Sequence, residues 1–345
     1  MIQGALSKLV ENQNLTFEEV RESVSEILTG GATPSQVAGF LVALRMKGET
    51  VSEIAGAAEA MRGAGTRITL SPGSVVVDTC GTGGDKRGTF NISTGAAFVV
   101  AGAGFTVAKH GNRSVSSSCG SADVLEALGV KIDPPVSVVE RCLKEIGIGF
   151  LFAPSFHPAM KHAMPVRREL GIRTVFNLVG PLTNPAGANA QVIGVYSEAM
   201  VEVVARVLVR LGTRHSLVVH GAGHDEITLF GKTSVMEIVN GRLRKKTLTP
   251  ADFGFRRHRP SDLCGGNKKD NAEILRQVLT GHPGAPRDAV VANASAALLV
   301  ACRAAGRSEV KTLRQARLVA ERSIDCGAAK EKLDQLVSLS RSDAP

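Results

Sequence analysis

The chain of 345 residues has no tryptophan and a single tyrosine, so it offers few of the aromatic surfaces on which nucleic-acid-binding proteins stack bases. Its cysteines form no CxxC pair, which excludes a zinc ribbon and a disulfide framework and predicts a reduced, cytoplasmic chain. These six are Cys80, Cys119, Cys142, Cys264, Cys302 and Cys326. No apolar run is long enough to span a bilayer, and the first residues lack the basic-then-apolar order of a secretory signal. We therefore expect no membrane partner.

Negative charge is also scarce: 32 acidic residues face 41 lysines and arginines, a formal net charge of +9. Such a balance could indicate nucleic acid, for which the absence of tryptophan and the single tyrosine leave few stacking surfaces. A basic surface that attracts small polyanionic substrates explains it equally well. Part of the excess lies in residues 242–246 and in Arg256–Arg259, two segments predicted to be solvated loops. No role can be assigned to Arg256–Arg259 or to Cys119 from the sequence.

The central stretch of the chain runs from Val75 to Asp85. It begins as a β-branched apolar run, typical of a buried parallel strand, and then has three glycines within four residues. Asn91, Ser93 and Thr94 follow, placed to cap the helix of residues 95–100. A strand, a glycine loop and a helix N-terminus gather N–H groups around an anion, usually a phosphate. The alternative is a tight structural turn.

Asp85 makes the prediction more specific. A carboxylate beside a phosphate is tolerated only if it faces hydroxyls or backbone, or if a divalent cation lies nearby. The loop matches neither the lysine-bearing phosphate loop nor the dinucleotide fingerprint. It therefore indicates a sugar phosphate bound together with a metal.

The N-terminal region shows three capping boxes, beginning at Thr16, Thr33 and Thr50. Each precedes an amphipathic run, namely Val20–Leu28, Val37–Met46 and Ile54–Met61. These helices carry no chemistry of their own. A packing or dimerisation role is predicted for them.

A second candidate binding loop is Gly111–Ser121, which follows a predicted strand at residues 105–110. It is rich in basic, amide and hydroxyl side chains, and Ser121 is predicted to cap the helix Ala122–Leu128. Loops at the carboxyl ends of strands are where α/β sheets bind ligands. A flexible surface loop is the alternative.

The rest of the chain alternates between strand and helix patterns, which predicts a mostly parallel sheet with helices on both faces. Residues 165–185 are predicted to be helical with a proline stop, and one of their arginines could receive a carboxylate. Asp225 and Glu226 follow the strand Ser216–Val219, where paired carboxylates suit Mg²⁺ bound together with substrate phosphates. Further strands are predicted at 149–152, 192–196, 228–230 and 235–239, and three helices (271–280, 287–304, 312–324) close the chain.

Taken together, five ordered motifs over essentially the whole chain resemble the anthranilate phosphoribosyltransferase family. They are Gly81–Asp85, Asn91–Thr94, Lys109–Arg113 with Gly120–Gly129, Arg167–Pro185, and Asp225-Glu226. The resemblance implies a small helical domain (residues 1–70 with helices from about 160–185) and a larger α/β domain (71–159 and 186–345). It also implies a homodimer formed through the helical domain and a ligand cleft between the domains.

The resemblance further implies the binding residues. The phosphoribosyl diphosphate contacts fall on Gly81, Gly84, Asp85, Thr89, Asn91, Ile92, Ser93, Thr94, Lys109, His110, Gly111, Asn112, Arg113, Ser114, Val115, Ser116, Ser117 and Ser121. The anthranilate contacts fall on Gly81, Asn112 and Arg167, and the magnesium ligands, for two ions, on Ser93, Asp225 and Glu226. No covalent nucleophile is implied. Lys109 and the loop Asn112–Ser117 are expected to close over the substrate.

Two other functions fit part of the pattern. A pyrimidine nucleoside phosphorylase has a similar architecture, but its phosphate loop differs from Gly81–Asp85. A non-catalytic nucleic-acid-binding relative would suit the net charge of +9. The intact glycine loop and acidic pair argue against it.

Overall fold

The structure is a computed structural model that describes residues 1–85, 87–114 and 118–342. Its N-terminal part consists of helices α1 (Ile2–Val10), α2 (Phe17–Leu28), α3 (Pro34–Lys47) and α4 (Val51–Ala64). The three capping boxes are confirmed, because Thr16, Thr33 and Thr50 each accept the N–H three residues on and receive the reciprocal bond. Each helix begins directly after its threonine. Helix α1 was not delimited from the sequence.

A seven-stranded sheet in the order β3-β2-β1-β4-β5-β6-β7 forms the centre of the chain. Its strands are β1 (Val76–Gly81), β2 (Thr106–Gly111), β3 (Ile148–Phe152), β4 (Ala190–Gly194), β5 (His215–Gly221), β6 (Thr233–Val239) and β7 (Arg242–Leu248). The first five are parallel and the last two antiparallel, which confirms the mostly parallel sheet. Gly81 pairs with Gly194 and Gly194 with Val219, so the loops after β1, β4 and β5 leave the sheet at the same edge.

Two local predictions around the sheet edge are wrong. Residues 242–246 are part of the edge strand β7 and not a loop, because Asn240 and Gly241, both with positive φ (51° and 74°), form a tight hairpin turn after β6. An Asn-Gly pair is a strong hairpin signal, which the run of charges obscured. Residues 228–230, predicted as a strand, belong to no strand.

Twelve further helices follow β1. They are α5 (Ile92–Gly102), α6 (Ser121–Ala127), α7 (Val136–Arg141), α8 (Ala153–Phe156), α9 (Met164–Leu170), α10 (Val175–Val179), α11 (Ala199–Arg210), α12 (Pro250–Phe253), α13 (Lys268–Leu279), α14 (Ala285–Ala304), α15 (Leu313–Asp325) and α16 (Ala328–Ser340). A π-turn, Cys142–Ile146, continues α7, and 3-10 turns occupy Pro158–His162, Gly180–Leu182 and Pro260–Leu263. Helix α16 was missed, so four helices rather than three close the described chain.

The segment 165–185 is not one helical run. Gly171 ends α9 in the left-handed conformation (φ 61°), and Thr174 starts α10 with its own capping box. The chain therefore turns between Leu170 and Val175. This break places the intervening arginine, Arg173, outside any helix.

Two large apolar clusters lie on opposite faces of the sheet. One packs α5 and the almost wholly buried α14 against it. The other joins the N-terminal helices to Val166 of α9, Val175 of α10 and α11. This packing is compatible with the predicted domain division, which stays a prediction. Among the described residues, no helix combines the length and apolar character that a membrane crossing needs.

Candidate functional site

The glycine loop and the acidic pair lie in direct contact. The N–H of Gly83 donates to Asp225 Oδ2 over 2.8 Å, although 142 positions separate the two residues. A Cβ on Gly81 would lie 2.6 Å from the same oxygen, and one on Gly194 would lie 1.6 Å from the Asp225 carbonyl oxygen. Glycine at both strand ends is therefore what allows the segment of Asp225 to approach.

Glu226 reaches the N-terminus of α5. The N–H of Ser93 donates to Glu226 Oε1 over 3.2 Å. The three residues predicted to bind magnesium, Ser93, Asp225 and Glu226, therefore lie together, where the glycine loop and the first turn of α5 meet the acidic pair.

Lys109 lies inside strand β2 and is 4% exposed. Its Nζ donates to the Thr79 carbonyl and lies 3.4 Å from Ser93 Oγ. A lysine held on the neighbouring strand is not part of a closing loop, so the expectation that Lys109 closes over the substrate is wrong. It is a fixed positive charge beneath the site.

The pKa values of Asp225 and Glu226 are raised, so neither group is readily ionised without a cation nearby. Both keep a path to solvent, yet protein atoms surround them, and this loss of hydration is the main reason that their pKa values rise. The Asp85 carboxylate raises the pKa of Asp225 further. For Glu226, burial and the charge of Asp225 raise the pKa to about 8, although Lys109 opposes this shift. A group of buried acids with one lysine is an environment that a divalent cation would stabilise.

Asp85 lies at the end of the glycine loop, and only one of its two carboxylate oxygens has a hydrogen-bond partner among the described residues. Oδ1 accepts the N–H of Arg87 over 3.1 Å, whereas Oδ2 is buried without a partner in the described part of the chain. Asp85 was predicted to face hydroxyls or backbone or to lie near a divalent cation, and the Arg87 N–H is one backbone donor to it. Oδ2 remains available as a hard oxygen for a cation or a hydroxyl.

The prediction that the side chains of Asn91 and Ser121 cap helices is wrong. Asn91 is the N-cap residue of α5, but its amide donates instead to the Cys119 carbonyl over 3.2 Å. Gly120 is the N-cap residue of α6, and Ser121 Oγ donates to the Asn112 carbonyl over 3.3 Å. The Asn91 side chain therefore ties the loop Gly111–Ser121 to the start of α5, whereas the Ser121 hydroxyl joins the two ends of the loop. Cys119, for which the sequence offered no role, is a buried part of this link.

Three more predicted contacts lie around α5. Thr94 Oγ1 is buried without a partner among the described residues, as a group that awaits a ligand would be. Ile92 is buried in the apolar core, so only its backbone can face the site. Thr89 forms a single antiparallel bridge with Cys264, which brings the turn of residues 260–263 beside the glycine loop.

The loop Gly111–Ser121 is only partly described, since Val115, Ser116 and Ser117 lie outside the described residues. Asn112 accepts the N–H of Arg113 on its side-chain oxygen. The Arg113 guanidinium is bound to Asp123 and Glu126 of α6, and the Ser114 N–H donates to Asp123. Arg113 is therefore engaged with α6 rather than with the glycine loop.

His110 lies beside His157, with ring centroids 5.3 Å apart. Burial and the neighbouring His157 lower the pKa of His110 to about 3, and burial lowers the pKa of His157 as well. Both rings are therefore neutral at physiological pH. They can orient a ligand by a hydrogen bond but carry no charge to it.

Arg167, the predicted anthranilate residue, lies on α9. Its guanidinium packs 5.5 Å from the centre of the Phe176 ring, and burial lowers its pKa. It forms no ion pair with any described carboxylate, and its hydrogen bond is a long one, 3.6 Å, to Met164 Sδ. The structure does not join it by a hydrogen bond to Gly81 or Asn112.

Asp78 and Asn184 were not predicted to take part in the site. Asp78 is fully buried on β1 and accepts the Asn184 amide (2.8 Å) and the His110 N–H (3.3 Å). Asn184 also donates to the Ala108 carbonyl on β2 over 2.8 Å. The sequence did offer a signal for Asp78, because an acidic residue follows directly after the apolar run Val75–Val77. This pair holds residues 180–185 against the strands that carry the glycine loop and Lys109.

No cluster of three or more His, Cys, Asp or Glu side chains with metal-site geometry occurs within residues 1–85, 87–114 and 118–342. Mg²⁺ commonly binds through one or two carboxylates while substrate phosphates and water complete its shell. Hard oxygens from Ser93, Asp225 and Glu226, with the unpartnered Asp85 Oδ2, fit that mode.

Comparison with known proteins covers almost the entire chain. Residues 73–330 match the α/β domain of a glycosyl transferase family, and residues 3–65 match the helical bundle domain of the same family. An anthranilate phosphoribosyltransferase from Anaeromyxobacter sp. (strain K) is 55% identical over 338 residues, 98% of each chain.

Solved structures agree with the sequence matches. The crystal structure of anthranilate phosphoribosyltransferase from Thermus thermophilus superposes with a TM-score of 0.91 at 42% identity and covers 98% of this chain and 99% of that one. The Saccharomyces cerevisiae enzyme in complex with PRPP and Mg superposes with a TM-score of 0.88 at 29% identity, over 98% and 97% of the chains.

Proposed function

Because the chain belongs to the anthranilate phosphoribosyltransferase family, we propose that it transfers the phosphoribosyl group of 5-phosphoribosyl 1-diphosphate (PRPP) to the amine of anthranilate. The products are N-(5-phosphoribosyl)anthranilate and diphosphate, the second step from chorismate to tryptophan. The contact of Asp225 with the N–H of Gly83 carries the proposal, because it joins an acidic pair to a phosphate-type loop. Identity of 55% over 98% of the chain favours this reaction over nucleoside phosphorolysis or nucleic-acid binding.

The glycine loop supplies the diphosphate site in this proposal. The N–H groups of Gly84 and Asp85, for which the described residues offer no acceptor, and the dipole of α5 would stabilise negative charge that develops on the leaving group. The N–H groups of Thr82 and Gly83 already donate to Gly194 and Asp225. Lys109 supports them from below, since its ammonium group is held between the Thr79 carbonyl and Ser93 Oγ. The bond from the sugar C1 to the diphosphate oxygen then breaks with oxocarbenium character at the sugar.

Ser93, Asp225 and Glu226 would hold Mg²⁺, for which we propose two ions per site. The yeast relative was solved with PRPP and Mg, which supports the choice of metal. When bound, Mg²⁺ neutralises charge on the diphosphate as a Lewis acid, a contribution of several kcal/mol. The protein contributes carboxyl groups whose pKa values are raised by burial and by neighbouring acids, so a bound cation would favour their ionised forms.

Anthranilate is proposed to bind through Gly81, Asn112 and Arg167. Its aromatic amine is neutral at pH 7, so attack at C1 needs no general base. The Arg167 guanidinium has no carboxylate partner among the described residues and can receive the anthranilate carboxylate in a bidentate contact. Positioning of the two substrates then provides most of the remaining rate enhancement.

The proposal also covers the division into two domains and the association of two copies of the chain. Residues 1–70, with the helices of about 160–185, would form the helical domain through which two copies associate, and the cleft between the domains would hold the substrates. We propose a cytoplasmic homodimer. Light scattering after size exclusion would measure its mass, and a monomer that turns over at full rate would contradict the dimer alone.

The test of the reaction uses the fluorescence of anthranilate. Purified protein, anthranilate, PRPP and Mg²⁺ are mixed, and the fluorescence should fall only when all four are present. Thymidine or uridine with phosphate, and salt-dependent DNA binding, are measured in parallel. A folded protein that leaves anthranilate fluorescence unchanged would refute the proposal.

A further inference from the structure

Arg173 is a basic residue that the proposed mechanism does not use. It lies in the turn between α9 and α10 and is half-buried. Its guanidinium stacks on the ring of Tyr196, the single tyrosine of the chain, with 4.1 Å between the guanidinium carbon and the ring centroid. Within the described ranges, it has no ion pair and no hydrogen bond. Its N–H donors are therefore held in place without an acceptor among the described residues.

The guanidinium lies directly on the glycine loop. A Cβ on Gly84 would come within 2.8 Å of Arg173 Nη2 and 3.2 Å of Nε. Gly84 has φ +77°, so it is also a position that favours glycine for its backbone. The Arg173 guanidinium thus occupies the space that a side chain at position 84 would need, and only glycine leaves room for it.

Tyr196 fixes this arrangement because it is tied to the same loop. The Tyr196 N–H donates to Thr82 Oγ1 over 3.1 Å, and the Thr82 N–H donates to the Gly194 carbonyl over 2.9 Å. The ring under Arg173 and the loop beside it therefore belong to one connected unit at the ends of β1 and β4. A shift of the loop would carry the aromatic support with it.

The glycine loop lies in negatively charged surroundings. Asp85, Asp225 and Glu226 place three carboxylates at the loop, and Lys109 lies beneath them. A diphosphate adds further negative charge. A guanidinium offers two parallel N–H groups that match phosphate oxygens, and stacking on a ring limits the entropy lost when it binds.

We propose that Arg173 is a further substrate-binding residue, which contacts the diphosphate of the phosphosugar through its guanidinium while Tyr196 holds it over Gly84. The assignment rests on the proposed function, since it takes the glycine loop as the diphosphate site. It gives the turn between α9 and α10 a role distinct from that of Arg167. Arg167 receives the acceptor, and Arg173 holds the leaving group.

The experiment compares Arg173→Ala and Arg173→Lys with Arg168→Ala, a control at an exposed arginine of α9. Calorimetry measures the Kd of inorganic diphosphate in the presence of Mg²⁺, and steady-state kinetics measures both KM values. We expect Arg173→Ala to raise the diphosphate Kd and the PRPP KM about tenfold or more, the equivalent of about 1.4 kcal/mol or more, because hydrogen bonds between charged groups are lost. The anthranilate KM should stay within about twofold of wild type, a difference of about 0.4 kcal/mol. Arg173→Lys should recover part of the loss.

Tyr196→Leu provides a second variant that leaves Arg173 in place. Removal of the ring should raise the same two constants by about two- to fivefold, as loss of a cation–π contact of about 0.5–1 kcal/mol predicts. An unchanged diphosphate Kd in Arg173→Ala, or a rise confined to the anthranilate KM, would overturn the assignment. Failure of the proposed function would give a different result, because the wild-type protein itself would then bind diphosphate without consuming anthranilate.

Discussion

The glycine loop with its acidic pair and the arginine segment (residues 167–173) differ in how their charges are satisfied. On the first, carboxylates are bound to backbone N–H groups, yet burial and mutual repulsion raise their pKa values. On the second, Arg167 and Arg173 pack on aromatic rings without any described carboxylate partner. Elsewhere in the described chain, arginines such as Arg206 and Arg317 pair with acids one helical turn away. Charges left without local partners mark surfaces that a ligand completes.

Removal of the two carboxylates is expected to have the largest effect. Asp225→Asn and Glu226→Gln keep the shape but should lower kcat/KM roughly 100-fold or more, because loss of preorganised charge stabilisation costs about 3 kcal/mol. Thermal stability should be maintained, since buried charge is removed. Turnover over a Mg²⁺ titration measures the effect, with Glu202→Gln on the exposed face of α11 as the control. Unchanged metal dependence in both variants would remove these residues from the site.

The second prediction concerns His110, which faces His157 on the chain segment that leads to α9. Its pKa is about 3 in the folded protein, below the ordinary histidine value of 6.5. The unfolded chain therefore takes up a proton as the pH falls below 6.5 while the folded chain does not, so stability present above that pH is lost toward pH 3. At about pH 5 the loss should reach about 2 kcal/mol.

Urea unfolding at about pH 7.5 and about pH 5 checks this dependence. His110→Gln should reduce the difference between the two pH values, and His157, whose pKa is also lowered, should account for part of what remains. If the variant loses as much stability as the wild type, another group is responsible for the acid sensitivity.

The third prediction addresses Arg167. Arg167→Ala should raise the anthranilate KM about tenfold, the equivalent of about 1.4 kcal/mol, and leave the PRPP KM unchanged. Arg168→Ala on the same helix is exposed and should change neither constant. An effect confined to the PRPP KM would move Arg167 to the phosphosugar side and erase the distinction from Arg173.

The smallest effect is expected far from both regions. Thr33→Ala removes the side-chain acceptor of the Gln36 N–H at the start of α3, and loss of such a cap costs about 1 kcal/mol. The unfolding midpoint should fall while kcat/KM stays the same. A fall in kcat/KM would show that loss of helix stability alone reduces activity. The effects measured for the Asp225, Glu226 and Arg167 variants would then have to be corrected for any loss of stability.

The sequence predicted most of the secondary structure and the parallel sheet because local signals and burial patterns agreed there. The three threonine caps and the run Val75–Asp78 are examples. It also predicted Asp225 and Glu226 as magnesium ligands, because a carboxylate pair on a strand-end loop suits a cation that is bound together with substrate phosphates. The structure brings Asp225 to the glycine loop, and the metal role stays a prediction. Local reasoning failed where tertiary contact decided the outcome.

Asn91 and Ser121 show this limit. Each has the side chain and position of a helix cap, but each bonds instead to a backbone carbonyl across the loop Gly111–Ser121. The contact of Arg173 with Gly84 joins segments far apart in the chain, and no spacing rule predicts it. Likewise, Asp78 could be recognised as unusual in an apolar strand, but its partner Asn184 could not.

Part of the net charge of +9 lies on strand β7, where it protects the edge of the sheet rather than binding substrate. Four of its seven side chains are basic: Arg242, Arg244, Lys245 and Lys246. It is the outermost strand of the sheet, so one row of its backbone groups has no neighbouring strand among those described. A second molecule that tried to extend the sheet there would bring like charges together, and lysine-rich edges resist such aggregation. The cations of this strand thus help to keep the protein dispersed at high concentration.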